Sequence, residues 1–497
     1  MAIQLGASAI FGMLCFVNLL NCIDRGIIPG APIEFQGFIQ RTHNVSSDSV
    51  SIYIGLLQSI FIGSYSIFIC VFGYLSMTRK PFQLMAISLF VWILSIVMCG
   101  LAKPLDSFYL LLFGRLISGI GEASFHATAP PFIDEFAPPA KRTLWLGCYY
   151  ATFSIGQALG FSYGSVTART VGWDYGFYLT AVLMVPVVYA CYAWIPAFFD
   201  KPLALYASNE NDDDSSNMQI STPTSPVLLA DVQPTAKAPP VATSFLQEAW
   251  TIVRNPVFLG ATLGLAAFTF TMNGMIAFAP AILIGYELMG ESIASTAFGG
   301  IVVLAGLMGS PLSGYVQDRL CAGRAHDRFF RLQRAAAQMA ALISTGVALL
   351  FVSVACMQAK VGFFVFLFGG FLCVFGTQTV TTIVLLMSVD QAQRGFAMGL
   401  STFLLHLFGD VPAGVVLGAL KDKWAPHCGS KIDANGKDVL DPECHMDKEG
   451  LRYTLAFAYG WLLWTVLCYV FVLVVACKWY RAARTKADAS LRCGSMG

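Results

Sequence analysis

Twelve apolar windows of spanning length, separated by short polar turns, constrain this chain more than any other feature. They fall at roughly 7–30, 51–75, 82–102, 107–131, 143–166 and 173–196, then at 257–284, 296–316, 335–357, 361–387, 395–419 and 452–477. Each holds about 20 residues or more, which at about 1.5 Å per residue covers a hydrocarbon core of about 30 Å. The charge content agrees. Only 12% of the residues are charged, whereas a soluble domain keeps roughly a quarter charged to face water. The expected fold is an all-α integral membrane protein with twelve transmembrane helices in two six-helix bundles.

Several function classes drop out at once. Net charge is +1 and the basic residues are segregated, so no nucleic-acid partner is expected. No C-x-x-C pair occurs, and most cysteines lie inside apolar runs as small hydrophobes, so neither a metal nor another cofactor is expected. The first apolar run lacks a basic leader and continues at spanning length, which argues against a cleaved signal.

Between the two sets of spans lies 200–250, with Asn-Glu-Asn-Asp-Asp-Asp at 209–214 and then repeated Ser, Thr and Pro. Such a stretch cannot bury a core and reads as a disordered cytoplasmic linker. The domains are therefore an N-terminal bundle over 1–199, the linker, a C-terminal bundle over 251–480 and a cytoplasmic tail over 481–497. Six spans, a linker and six more is the layout of a duplicated transporter. With both termini cytoplasmic, inside loops and tail hold about eighteen lysines and arginines and the outside about ten, half of them in the long loop 420–450. The positive-inside bias thus sets the orientation. Asn44-Val45-Ser46 is then a glycosylation sequon on the outside. Cys428 and Cys444, also outside and flanking an Asn435-Gly436 turn, are expected to form a disulfide, with two free surface thiols as the plain alternative.

Ionisable residues inside the spans carry the chemistry. A charge near mid-bilayer costs at least about 2.5–3.5 kcal/mol, so each needs a partner or a wet cavity. Asn21 and Asp24 share a face of the first span, while Arg25 points about 100° away from Asp24, which must find its partner on another helix. In the fourth span Arg115 and Glu122 lie two turns apart on one face, with Gly119 and Gly121 between them. The functional reading is a buried cluster of Asp24, Arg115 and Glu122 facing a central cavity, where proton occupancy or substrate charge tips a conformational equilibrium. The alternative is a permanent salt bridge that only pins two helices. His126 lies one turn beyond Glu122, as a pH-sensitive extension or as ordinary packing. His406 and Asp410 share a face of the eleventh span, where Gly409 and Pro412 weaken the backbone ladder; they either line the cavity or bend the helix. Gly156, Gly160 and Gly164 form a packing stripe in the fifth span. Within it Gly160-Phe161-Ser162-Tyr163-Gly164 matches a hydrolase pattern, but in mid-helix it lacks the strand–turn–helix setting that chemistry requires. No enzyme activity is expected.

These residues resemble the spinster family of the major facilitator superfamily, through both halves of the chain. Asn21-Cys22-Ile23-Asp24-Arg25 is similar to that family's first-helix N-Y-x-D-R, and Arg115 to Ala123 to its fourth-helix R-x-x-x-G-x-G-E-A. Pro256, Thr269-Phe270 and Pro280 resemble its seventh helix. Gly314 to Leu320 resembles the gating loop after the eighth, and His406-Leu407-Phe408-Gly409-Asp410 the eleventh-helix H-x-x-G-D. The resemblance implies the major facilitator fold, alternating access by rocking of the two halves, and an amphipathic cargo such as sphingosine phosphate or lysophospholipid. Some members are proton-coupled, and Asp24, Arg115 and Glu122 are the residues to which it assigns coupling and headgroup handling. It places the chain in a plasma or endolysosomal membrane, among membrane lipids.

Two departures stand out. The loop after the second span reads Gly73-Tyr74-Leu75-Ser76-Met77-Thr78-Arg79-Lys80, without the aspartate that helps lock the cytoplasmic gate in relatives, which leaves gating to Asp318 and Arg319. Val380-Thr381-Thr382 stands where relatives often carry asparagine. A transporter of a small organic solute and a non-transporting membrane sensor or scaffold are the rival readings. The first requires a polar, closed cavity; the second requires no buried carboxylate–arginine cluster.

Overall fold

The structure is a computed structural model that describes residues 4–43, 50–202, 244–324, 327–428, 430–432, 438–440 and 442–494. The sequon at Asn44, the Asn435-Gly436 turn and most of the expected linker lie outside the described residues.

Each of the twelve apolar windows falls on a helix. The first half holds α1 (Ala7–Gly30), α2 (Pro32–His43), α3 (Val50–Leu75), α4 (Pro81–Leu101), α5 (Phe108–Phe136), α6 (Arg142–Thr170) and α7 (Trp173–Ala193). The second holds α8 (Phe245–Val253), α9 (Pro256–Gly285), α10 (Glu291–Leu320), α11 (Arg328–Ala355), α12 (Lys360–Ser388), α13 (Arg394–Leu405), α14 (Val411–Trp424) and α15 (Lys448–Gly494). Of these, α2 and α8 are the short extras; α13, a π-helical turn over His406–Asp410 and α14 together make the eleventh span. Among the described residues, eleven helical segments are long and apolar enough to cross a membrane. The fifth expected span, α6, is 29 residues long and carries more polar side chains. Large apolar side chains stay exposed on outer faces, Val182 and Tyr192 among them, as expected where the surrounding solvent is lipid.

Two boundaries shift from the sequence reading. The stretch read as linker to residue 250 is already helical from Phe245. The stretch read as a tail from 481 continues α15 to Gly494. At the second place a span continues past the end of its apolar window, whereas at the first a separate short helix, α8, precedes α9.

Local chemistry starts the helices cleanly. Asn255 accepts from Val257 (3.0 Å) and Phe258 (3.2 Å), with Pro256 at the first helical position of α9. Asp327 accepts from Phe330 at 2.9 Å to open α11. Asp200, beyond α7, accepts from Phe82 at 2.9 Å and so caps α4 from another part of the chain. Side-chain acceptors of this kind satisfy amides that no helix can bond internally.

Small residues then set which helices touch. A Cβ at Gly26 of α1 would lie 2.6 Å from the backbone of Gly160, so the expected glycine stripe of α6 does bring two backbones together. The two halves meet along two seams, α6 on α10 and α3 on α13. Both seams lie toward the end of the bundle where the two termini emerge, the terminal face. On the opposite face Cys428 and Cys444 are joined by a disulfide, and the short strands β1 (Ser430–Ile432) and β2 (Asp438–Leu440) pair antiparallel beside it.

Candidate functional site

Two helices place four charges in the interior of the first half. Gly119 and Gly121 seat α5 tightly: a Cβ at Gly119 would meet α3, and one at Gly121 would meet the backbone of Trp92 on α4 at 2.5 Å. That leaves the remaining face of α5 toward α1. Arg115 donates to Asp24 at 2.9 Å. Arg25 donates through Nη2 (2.7 Å) and Nε (3.3 Å) to the two oxygens of Glu122, a forked pair. Asp24 and Glu122 are fully buried and Arg115 nearly so, whereas the Arg25 side chain keeps 19% exposure. One of the four charges is therefore accessible from between the helices.

Within the expected cluster, Asp24 takes Arg115 on another helix and Arg25 is added as a fourth member. Glu122 pairs with Arg25, not with Arg115. Seven residues of helix separate Arg115 from Glu122 by about 10 Å along the axis, too far for contact. The 100° between Asp24 and Arg25, read only as keeping those two apart, lets neighbouring residues of α1 serve two heights of α5. Side chains lean toward a helix N-terminus, so the long Arg25 arm reaches back toward Glu122. Asn21 is fully buried on the same helix, and neither atom of its amide meets a protein partner; Asp24 Oδ1 and Ser118 Oγ are likewise unpaired.

His126 Nδ1 lies 3.6 Å from Glu122, so the histidine does extend the cluster. Its ring packs edge-on against Tyr65 of α3 at 5.5 Å, and the other side of the network follows at once: Tyr65 lies 5.9 Å from the ring of His406. His406 bonds Asp410, which accepts from Asn273 of α9. The pair sits within the π-helical turn. The motif distorts the helix, and its histidine faces Tyr65 of the first half. Tyr150 and Thr382 add a direct inter-half hydrogen bond at 2.7 Å.

Sequence reasoning missed Phe61 and Tyr65. The Phe61 ring lies 5.0 Å from the Arg25 guanidinium and 4.9 Å from that of Arg115, and Tyr65 lies 5.0 Å from Arg25. Their aromatic faces support the cations where water is scarce. Two aromatics one turn apart in an apolar span look the same whether they face lipid or an arginine, so no signal in the sequence separates them.

At the terminal face Asp318 of α10 crosses to the first half and accepts from the N–H groups of Thr143 (3.0 Å) and Leu144 (2.8 Å), the first turn of α6. Arg319 does not join it. Its guanidinium donates to Tyr315 Oη at 3.0 Å and stacks on that ring, one turn back on its own helix. The cross-half cations are others. Asp134, buried at the end of α5, pairs with Arg331 at 3.1 Å and Arg394 at 3.4 Å, and Glu135 pairs with Arg394 at 3.3 Å. The available signal is Asp134-Glu135 ending a span, opposite a loop rich in arginine.

A family model described as Major Facilitator Superfamily matches residues 14–409. The probable sphingolipid transporter spinster homolog 1 of Arabidopsis thaliana is 28% identical over 423 residues, 82% of this chain and 82% of its own length. Protein spinster homolog 1 of Rattus norvegicus is 27% identical over 441 residues, 85% of this chain and 75% of its own. Among solved structures, a bacterial homologue of the human lysosomal transporter spinster, inward-facing and unoccupied, superposes with a TM-score of 0.55 at 16% identity, covering 95% of this chain and 98% of that one. The transporter FucP in its outward conformation gives 0.58 at 15% identity, covering 94% and 97%.

Proposed function

Because this chain belongs to the Major Facilitator Superfamily, we propose that it is a secondary active transporter that moves an amphipathic lipid, of the lysophospholipid or sphingosine-phosphate kind, by alternating access. The observation that carries the reading is the double ion pair of Asp24–Arg115 and Arg25–Glu122, buried at the interior of an all-helical membrane bundle. Burying four charges merely to hold two helices together is a poor bargain, since well-packed apolar residues do as well or better. A bundle that must bind and release a charged headgroup has a use for them. Arg25, forked onto Glu122 yet partly exposed, is the cation placed to exchange its carboxylate for a phosphate; Glu122 then takes a proton, with His126 beside it. Tyr65 joins this exchange to His406 and Asp410 in the second half, so occupancy of one half is felt by the other. The spinster relatives support a lipid cargo. Closure of both seams at the terminal face fits one end state of the cycle, and the lysine and arginine bias puts that face, with both termini, in the cytoplasm.

The test is uptake into proteoliposomes under an imposed pH gradient, screening lysophospholipids and sphingoid phosphates against sugars, amino acids and organic anions. Wild type should accumulate a lipid, and Glu122→Gln and Asp24→Asn should lose the response to the gradient. Arg25→Lys should keep the charge but weaken lipid binding, because lysine offers no planar fork. Uptake confined to a non-lipid solute would overturn the cargo; proton-driven uptake unchanged in both carboxylate variants would overturn the site.

A further inference from the structure

The helix α8 sits where the expected aspartate is missing. Its Phe245 ring lies 5.5 Å from Tyr74, at the end of α3, and 5.0 Å from Phe396, in the first turn of α13. Tyr74 and Phe396 are themselves 5.6 Å apart. Three rings from three chain segments therefore close the α3–α13 seam, where, among the described residues, no carboxylate of the loop after α3 reaches across. Gln393, just ahead of α13, donates to Glu248 of α8 at 2.7 Å, and Ile252 is buried beneath. This face of α8 packs on the gate, with Phe245 keeping 36% exposure at its edge.

The opposite face does not. Leu246 is 75% exposed and Trp250, one turn on, 57%. The Arg254 guanidinium stacks over the Trp250 ring at 5.0 Å. Only Arg254 and Asn255 separate α8 from Pro256, where the spanning helix α9 begins, so connectivity alone sets α8 at the membrane boundary. An apolar stripe ending in tryptophan and arginine at that height matches the headgroup–acyl boundary, where tryptophan is enriched and arginine reaches phosphate.

We propose that α8 is a membrane-surface latch: Leu246 and Trp250 seat in the headgroup–acyl boundary of the terminal-face leaflet, and that seating holds Phe245 in the seam so that the gate stays shut. The lipid surface thereby acts on the conformational equilibrium of the bundle, independently of whatever cargo is carried.

The test uses the full chain in nanodiscs. Trp250 is isolated as the difference in tryptophan emission between wild type and Trp250→Phe. It should be quenched by lipids brominated on the acyl chain and spared by aqueous iodide; the reverse would show a surface free in water or kept for a protein partner and would overturn the lipid assignment. Spin labels on exposed Thr78 and Asp390 then report the open fraction. Phe245→Ala should raise it about ten-fold, the worth of its two ring contacts, and Leu246→Glu with Trp250→Glu should do the same. No change with Phe245→Ala would overturn the latch. A change with Phe245→Ala but none with the paired glutamates would overturn the role of the lipid surface. The conservative Trp250→Phe keeps the quenching arm readable even where the other variants fold poorly.

Discussion

The two seams that join the halves are built alike and fastened differently. In each, one glycine from each helix brings backbones into contact: Gly314 of α10 and Gly147 of α6 in the first, Gly73 of α3 and Gly399 of α13 in the second. A Cβ at Gly314 would lie 2.7 Å from the carbonyl carbon of Thr143; one at Gly73 would lie 2.9 Å from the Cα of Phe396. Four residues beyond Gly314 stands Asp318, which caps α6. Four residues beyond Gly73 stands Met77, and α13 begins with no side-chain cap. One seam is thus held by a carboxylate on a helix N-terminus, a directed and salt-sensitive bond. The other is held by rings packed edge-on and tilted, which tolerate sliding. Between them, Asp134 and Glu135 meet Arg331 and Arg394. A duplicated scaffold needs equal backbone approach on both sides, but not equal locks.

The most damaging way to break the arrangement is Asp134→Asn. Arg331 and Arg394 would remain buried without their shared anion, a loss of roughly 3–5 kcal/mol. We expect the terminal face to open in most molecules, read as longer distances between spin labels at Thr78 and Asp390 and at Lys141 and Ala322. Unchanged distances at both pairs would mean the seams alone close the gate. Next comes Asp318→Ala, which removes a helix cap worth about 1–2 kcal/mol and should raise the open fraction about ten-fold. Raising salt should weaken wild type toward this variant, and Phe245→Ala, which keeps Asp318, should respond to salt as wild type does.

The residues involved show why the sequence displayed the scaffold better than the locks. Twelve helices were legible because apolar length is a one-dimensional property. Asp24, Arg115, Glu122 and Asp318 were legible because a charge in or beside an apolar span needs a reason. Pairing was not. That Glu122 meets Arg25, and that Arg331 and Arg394 rather than Arg319 reach across to the first half, depends on the height and rotation of one helix against another, which no spacing within a single helix encodes. Phe61, Tyr65 and Phe245 were hidden for a different reason: aromatic side chains are common on lipid-facing and site-facing surfaces alike.

A smaller effect of opposite sign sharpens the comparison. Met77→Asp places the absent carboxylate before α13, four residues from Gly73 as Asp318 is from Gly314. An acidic group at a helix N-terminus is worth about 0.3–1 kcal/mol near a surface. The open fraction should fall by a few-fold, and transport should slow because the closed state is now over-stabilised. If Met77→Asp leaves the label distances and the transport rate unchanged, the two seams are not equivalent places for a latch, and their likeness ends at the glycines.

The smallest effect separates a cap across the halves from a cap within one. Asp200 also accepts from a helix N-terminus, the Phe82 amide of α4, but both groups belong to the first half. Burial pushes its carboxyl above the usual range, against the pull of the Phe82 amide and Lys80. The folded state therefore holds this proton more tightly than the unfolded chain does. Its contribution to stability is greatest below the unfolded value of 3.8. It declines as pH rises from there through the raised folded value, and then stays at the lower level. Asp200→Asn should flatten that part of the melting profile and leave the open fraction untouched at every pH. If acidification shifts the label distances in wild type but not in Asp200→Asn, then a cap inside one half also sets the gate, and the distinction between scaffold and lock drawn from Asp318 and Met77 fails.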